Sequence, residues 1–314
     1  MPELRSTRIA FGEALFELAE MGLDVVAVSA DTSSSMGIDI LKAKYPERCF
    51  DAGVAEQNMM MIAAGLAATG KIAFAASYSV FTSMRALEQL RTFVCYPNLN
   101  VKIGAGLGGF SGGIEGITHM ALEDLGIVRC VPNLVVLTPA DYFSTKKIVH
   151  EVAKIQSPCY IRLGRDPSPV IFDDKYSFSI GRANTVINNG SDVGIITGGI
   201  VLSEVLSAAE SLHQKGVGMK VVEVPTLKPI DKEAIIELAK STDRLVTIEE
   251  HNVIGGLYSA VCEVLCSSLP TRVYPLAVPD IFTESGKPSE LMARYNLNMQ
   301  GISEYILGLL HDQE

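Results

Sequence analysis

The residues of this chain best suited to chemistry fall in a few short strings. Gly53-Val54-Ala55-Glu56-Gln57-Asn58-Met59 sets a carboxylate just ahead of a run rich in small residues, Ala63, Ala64, Gly65, Ala67 and Ala68. The run reads as a helix whose small side chains permit close backbone approach, so it is expected to lie buried against another element. Glu56 then stands near a helix N-terminus, where the dipole favours its anion. Taken alone, such a glutamate is an ordinary acidic residue of a first turn. A second string, Gly104 to Gly116, holds seven glycines. Its backbone N–H groups could cradle a diphosphate. It has neither the GxxxxGK[ST] spacing nor a clean dinucleotide-binding spacing with an acidic partner. It reads better as a flexible active-site wall whose glycines let a substrate come close. His119 is one of five histidines. Imidazole can donate hydrogen bonds or shuttle a proton, although a lone histidine is more often structural. Cysteines at 49, 95, 130, 159, 262 and 266 include no CxxC pair. That spacing argues against zinc and thioredoxin-like redox chemistry. Cys262 and Cys266, one helical turn apart in an apolar stretch, read as core thiols.

The elements that must position these groups follow from periodicity. Residues 7–21 read as an amphipathic helix stopped at Gly22, and Val25-Val26-Ala27-Val28-Ser29-Ala30-Asp31 as a buried parallel strand. Helices are expected over 55–69, about 82–92 and 142–154, and strands over 72–76, 101–105, 134–138 and 159–163. Gly164-Arg165-Asp166-Pro167-Ser168-Pro169 breaks regular structure. A second alternation begins at Asp192, with helices over 201–215 and 232–241, strands over 220–224 and 244–248, and another helix opened by Gly255-Gly256-Leu257. The expected fold is α/β: two doubly wound domains, 1–188 and 189–314, each with a mostly parallel sheet flanked by helices. A chain of 314 residues, 48% hydrophobic, can bury two such cores. A net charge of -10 argues against nucleic acid or an anionic membrane as the main partner. No apolar run reaches the ~18 residues a membrane span needs. Met1-Pro2-Glu3-Leu4-Arg5 has no apolar signal region, which leaves the cytoplasm as the expected compartment.

The string around Glu56 resembles the GxAEQNM signature of the transketolase family's pyrimidine-binding domain, and other matches follow in order. Arg8 opens the first helix, and Ala30-Asp31-Thr32-Ser33-Ser34-Ser35 is similar to the loop after the first strand. Tyr78-Ser79-Val80-Phe81 with Arg85-Ala86-Leu87-Glu88-Gln89-Leu90-Arg91 resembles the aromatic segment beside the thiamine ring. Gly116-Ile117-Thr118-His119-Met120-Ala121-Leu122-Glu123-Asp124 resembles GxTHxALED, and Val131-Pro132-Asn133, Pro139-Ala140-Asp141 and Arg165 also fall in place. The resemblance spans essentially the whole chain. It implies a thiamine-diphosphate-dependent transferase of the EC 2.2.1 class that moves a two-carbon ketol unit from a ketose to an aldose. It implies that Glu56 contacts N1′ of the cofactor's aminopyrimidine, where proton sharing favours the tautomer that deprotonates the thiazolium carbon. Tyr78 and Phe81, otherwise ordinary core aromatics, are then cofactor contacts. His119 lies beside the substrate hydroxyls, and Arg8, Ser35 and Arg165 together hold the substrate's terminal anion.

Two positions depart from the family pattern. Twelve residues before His119 the family commonly has a histidine, and here Leu107 stands there. The family's GEDG is Gly113-Ile114-Glu115-Gly116, so Glu115 replaces the aspartate expected to read a substrate hydroxyl. These changes put pentose phosphates in question and make another sugar, or a sulfonate in place of phosphate, a substrate to test. The chain has no Gly-Asp-Gly and no acidic cluster for Mg²⁺ or Ca²⁺. The expectation is therefore that an N-terminal partner subunit holds the diphosphate and metal, in a heterotetramer of two such chains with two partners. The same architecture serves the β subunit of a 2-oxoacid dehydrogenase, a deoxyxylulose-phosphate-synthase-like enzyme, or an inert structural subunit, and these stand as alternatives.

Overall fold

The computed structural model describes residues 3–311. Its strands are β1 (Leu4–Arg5), β2 (Val25–Ser29), β3 (Cys49–Asp51), β4 (Ile72–Tyr78), β5 (Val101–Gly106), β6 (Val135–Leu137), β7 (Cys159–Arg162), β8 (Ser168–Pro169), β9 (Asn184–Asn188), β10 (Val193–Thr197), β11 (Met219–Glu223), β12 (Thr226–Lys228), β13 (Arg244–Asn252) and β14 (Val273–Val278). Seven form one sheet in the order β12-β6-β7-β5-β4-β2-β3, five a second in the order β14-β13-β10-β11-β9, and β1 pairs with β8. Each large sheet is parallel except at one edge, β12 in the first and β9 in the second. This is the two-unit α/β architecture that the alternation of strands and helices predicts.

Burial explains why the strands read as continuous apolar runs. Every residue of β2, β5 and β10 is buried, as a parallel sheet covered on both faces requires. One face of the first sheet packs Phe74 and Ala76 against Phe11, Leu15 and Leu18 of the helix Thr7–Glu20 and Ile148 of the helix Tyr142–Val152. The other face packs Ala73, Ala75 and Ile103 against the helix Glu56–Ala68, and the same apolar cluster continues through Leu227 and Leu257 into the second unit. A third cluster fills the second unit and takes in Phe110, Met120 and Leu122 from the first.

β9, which the expected division at 188/189 leaves in the first domain, pairs with β11 of the second sheet. β12, from beyond that division, returns to the first sheet. Both are edge strands, and β12, although Thr226 and Leu227 are buried, is too short for periodicity to mark. The helix expected over 82–92 is instead π-wound over Phe81–Arg85 and Leu90–Cys95, with one α-helical stretch, Leu87–Gln89, between. Thr82 and Ser83 donate their hydroxyls to the Tyr78 and Ser79 carbonyls, a local competition that bends a helix. Cys266 is exposed and Cys262 only partly buried, so the pair is not a core pair. Val261, Val264 and Leu265 form the buried stripe of that helix.

Candidate active site

The parallel strands of the first sheet end at one edge, the place where open α/β sheets present ligand sites. Ser35 follows β2, Glu56 follows β3, Tyr78 closes β4, Glu115 and His119 follow β5, and Arg165 follows β7. Arg8, in the first turn of the helix Thr7–Glu20, returns to the same edge. Local chemistry sets the approach to Glu56. Asp51 accepts the N–H groups of Asp31 and Gly53 at 3.0 and 2.8 Å and the Ser29 hydroxyl at 2.8 Å. Gly53 turns the chain with φ +68°, a conformation suited to glycine. The helix then begins at Glu56 itself.

The eight residues singled out from the sequence form one continuous line of contacts. Glu56 is 2% exposed, and its Oε2 accepts from Arg85 Nη1 at 2.8 Å. The Arg85 guanidinium lies 4.2 Å from the Phe81 ring centroid. Phe81 meets His119 edge-on at 5.3 Å, and Tyr78 lies 5.9 Å from Phe81 and 6.0 Å from His119. His119 Nδ1 shares a 2.9 Å hydrogen bond with the Thr118 hydroxyl. The Tyr78 phenol accepts from Ser35 Oγ at 3.2 Å, and Ser35 Oγ accepts from Arg8 Nη1 at 2.8 Å. Arg8 Nε and Nη2 donate to the Arg165 carbonyl at 3.0 and 2.7 Å. The Arg165 guanidinium pairs with Glu115. Burial first, and Arg165 beside it, lower the pKa of Arg8 from its ordinary value.

Two features differ from the sequence reading. Glu115 and Arg165 were assigned separate substrate contacts, and here they neutralise each other in a half-exposed pair that an incoming anion can compete for. Arg85, in the aromatic segment after β4, has no role in the sequence reading, and it is the ion partner of Glu56, 29 residues away in sequence. No local pattern marks that contact. Only the sheet, with β3 and β4 on either side of β2, brings the two segments side by side.

A buried carboxylate joined through Arg85 to a cluster of two phenyl-type rings and an imidazole fits a flat nitrogen heterocycle. The carboxyl can share a proton with a ring nitrogen while the rings supply stacking and edge contacts. Among the described residues no group of three His, Cys, Asp or Glu is placed to hold a metal ion. No helix among them is long and apolar enough to cross a membrane.

Comparison with known proteins finds transketolase relatives along both units. Residues 4–169 match the model for the transketolase pyrimidine-binding domain, and residues 181–302 match that for the transketolase C-terminal domain. A putative transketolase C-terminal section from Methanocaldococcus jannaschii is 41% identical over 306 residues, covering 96% of each chain. A 6-deoxy-6-sulfo-D-fructose transketolase subunit from Clostridium sp. is 36% identical over 295 residues, 94% of this chain and 91% of that one. A solved structure described as a split gene transketolase in an inactive β4 tetramer superposes with a TM-score of 0.89 at 42% identity, covering 98% of this chain and 99% of that one.

Proposed function

This chain belongs to the transketolase family, and we propose that it is the C-terminal subunit of a split, thiamine-diphosphate-dependent transketolase. It takes a two-carbon ketol unit from an anionic ketose and passes it to an aldose. The observation that carries this reading is Glu56, buried at the sheet edge against Arg85, whose guanidinium lies over the Phe81 ring of the Tyr78, Phe81 and His119 cluster. Thiamine diphosphate, when bound, supplies the nucleophilic carbon and the electron sink for the transferred unit. The residues of this chain do the rest. Glu56 would share a proton with the pyrimidine N1′, Arg85 balances the Glu56 charge, and Tyr78 and Phe81 would hold the ring. His119 hydrogen-bonds a substrate hydroxyl and can move its proton. Arg8, Ser35 and Arg165 face the terminal anion, and Glu115 exchanges Arg165 for a substrate hydroxyl.

The diphosphate and its Mg²⁺ or Ca²⁺ belong, on this reading, to an N-terminal partner subunit. Relatives matched over nearly their full length carry the words "C-terminal section" and "split gene", which supports a partner. The helix Glu56–Ala68 turns Gln57, Asn58, Met61, Gly65 and Ala68 outward. A side chain on Gly65 would meet nothing within 4 Å. This outward face beside Glu56 is where a second chain can close the site, within an assembly of two such chains and two partners. Six unpaired cysteines suit a reducing compartment and support a cytoplasmic location.

Leu107 is 2% exposed and offers no side-chain donor at a position where the family commonly has a histidine. Loss of one donor weakens phosphate binding by ~1–3 kcal/mol in a dry site. The sulfo-sugar enzyme among the relatives supports a sulfonate as one anion this site accepts. The deciding experiment reconstitutes this chain with its N-terminal partner and assays xylulose 5-phosphate, 6-deoxy-6-sulfofructose and pyruvate as donors. Ketol transfer from a ketose that needs both subunits is the expected result. Turnover of pyruvate alone identifies a decarboxylating enzyme instead, and activity of this chain without a partner overturns the split reading.

A further inference from the structure

The glycines after β5 admit protein atoms. Gly108 lies against Arg162, where a Cβ would overlap that side chain, and a Cβ on Gly112 would meet the His119 backbone. Gly109, at φ +64°, lies on the Glu250 carboxyl group, which a Cβ would strike. The flexible wall expected from the sequence is thus a loop backed by charged side chains, and one of them, on β13, comes from the second unit. Glu250 is 4% exposed, and its Oε1 accepts the Phe110 N–H at 2.6 Å. The Phe110 ring stacks on Tyr295 of the second unit at 5.4 Å, and Gly286 N–H donates to the Gly113 carbonyl at 3.0 Å.

We propose that Glu250 is a positioning residue for substrate: from the second unit it sets the shape of the loop 107–116 and thereby places Glu115 and His119. The inference rests on reading that loop as the substrate wall of a transketolase. Glu250 is not isolated. Arg162 donates to the Glu250 carbonyl at 3.1 Å, to the Ala121 carbonyl at 2.7 Å and to Asp124 at 3.0 Å. Glu249 and His251 flank Glu250 on its own strand, and both are buried. Arg162 therefore joins the Glu250 backbone to Ala121, two residues beyond His119. One buried cluster holds both ends of the substrate segment, and its acceptor for the loop is the Glu250 carboxyl.

Burial pushes that carboxyl up to about 7, against the pull of Arg162 and the Phe110 N–H. As pH rises through this value Glu250 becomes the stronger acceptor, and the loop is held more firmly. Glu250→Gln keeps an acceptor oxygen but stays neutral. Glu250→Ala removes the acceptor.

Two measurements test the proposal. In the full chain alone, hydrogen exchange is followed at residues 107–116. Glu250→Ala should speed exchange at Phe110 and its neighbours while the helix Glu56–Ala68 stays protected. Unchanged loop exchange overturns the proposal whatever the enzyme does. In the complex with the partner subunit and thiamine diphosphate, Glu250→Ala should raise KM for the active ketose about three- to tenfold, the worth of one hydrogen bond. The cofactor Kd should hold. In Glu250→Gln, KM should stay near the low-pH wild-type value across pH 6 to 8, without the fall expected of wild type around pH 7. Faster exchange with unaltered KM and pH profile overturns the substrate role. If wild type turns over no ketose, the transketolase reading fails while the exchange result still tells whether Glu250 holds the loop.

Discussion

At the residue scale the site turns on Glu56. A carboxylate 2% exposed at the first position of a helix is stabilised by the dipole and by one guanidinium. Glu56→Gln should cut turnover by orders of magnitude while the far-ultraviolet circular dichroism stays that of wild type. Near-normal turnover excludes the proton-sharing role. Arg85 is half exposed, so its worth lies in balancing a buried partner. Arg85→Ala should destabilise the chain by about 1–3 kcal/mol in urea melts, and Glu56→Gln in the same chain should recover part of that loss. Additive losses would mean that the pair is not coupled. His119→Ala should lower turnover roughly 10²–10⁴-fold with thiamine diphosphate binding retained by calorimetry. Of these residues, Glu56 and His119 were legible from their strings. Arg85 was not, because an ion pair across two strands leaves no periodic trace.

At the element scale the helix Thr7–Glu20 shows packing overruling propensity. Gly12 sits in its middle, where alanine gains ~1 kcal/mol in propensity. A Cβ there would run into the backbone carbonyl of Gly37, at the end of the loop that carries Ser35. Overpacking against backbone costs ~1–3 kcal/mol, so the clash wins. Gly12→Ala should lower stability in chemical denaturation and, by moving that loop, loosen the Arg8–Ser35 contact. A stabilised variant contradicts the packing argument. Most helices and central strands were legible because their buried faces repeat along the chain. Exceptions include the π-wound segment after β4, shaped by hydroxyls bonding back to carbonyls, the short and only partly buried strands β3 and β9, the three-residue β12, and β14 with the helices Pro288–Arg294 and Met299–His311.

At the scale of the whole molecule, buried charge makes stability depend on pH. Glu223, Glu249 and Glu250 are each pushed by burial from the ordinary 4.5 up to about 7. Between those values the native chain binds more protons than the unfolded one. Their contribution to stability is therefore full below the unfolded value and is lost as pH rises through about 7. His251 runs the other way: burial lowers it from 6.5 to about 4, so its contribution is full above 6.5 and lost as pH falls through about 4. The melting temperature should accordingly fall between pH 5 and pH 8. Glu223 accepts from Tyr176 and Asn184, and a glutamine there can still accept. Glu223→Gln should reduce that fall by roughly 2–4 °C per kcal/mol of linkage removed. An equally steep fall in the variant shows that Glu223 does not titrate in this range.

From the chain of letters alone came the two α/β units, the order of their main elements and the strings holding Glu56, Tyr78, Phe81, His119 and Arg165. The units and their elements are consequences of periodic burial, which a linear sequence records directly, whereas the strings stand out through their resemblance to the transketolase family. Tertiary structure alone decided that Arg85 answers Glu56, that Glu115 answers Arg165, and that Glu250 reaches from the second unit to the loop after β5. Such contacts join segments 29, 50 and 140 residues apart. The stacking order of strands sets their distances, and a buried charge finds its partner only once that order exists.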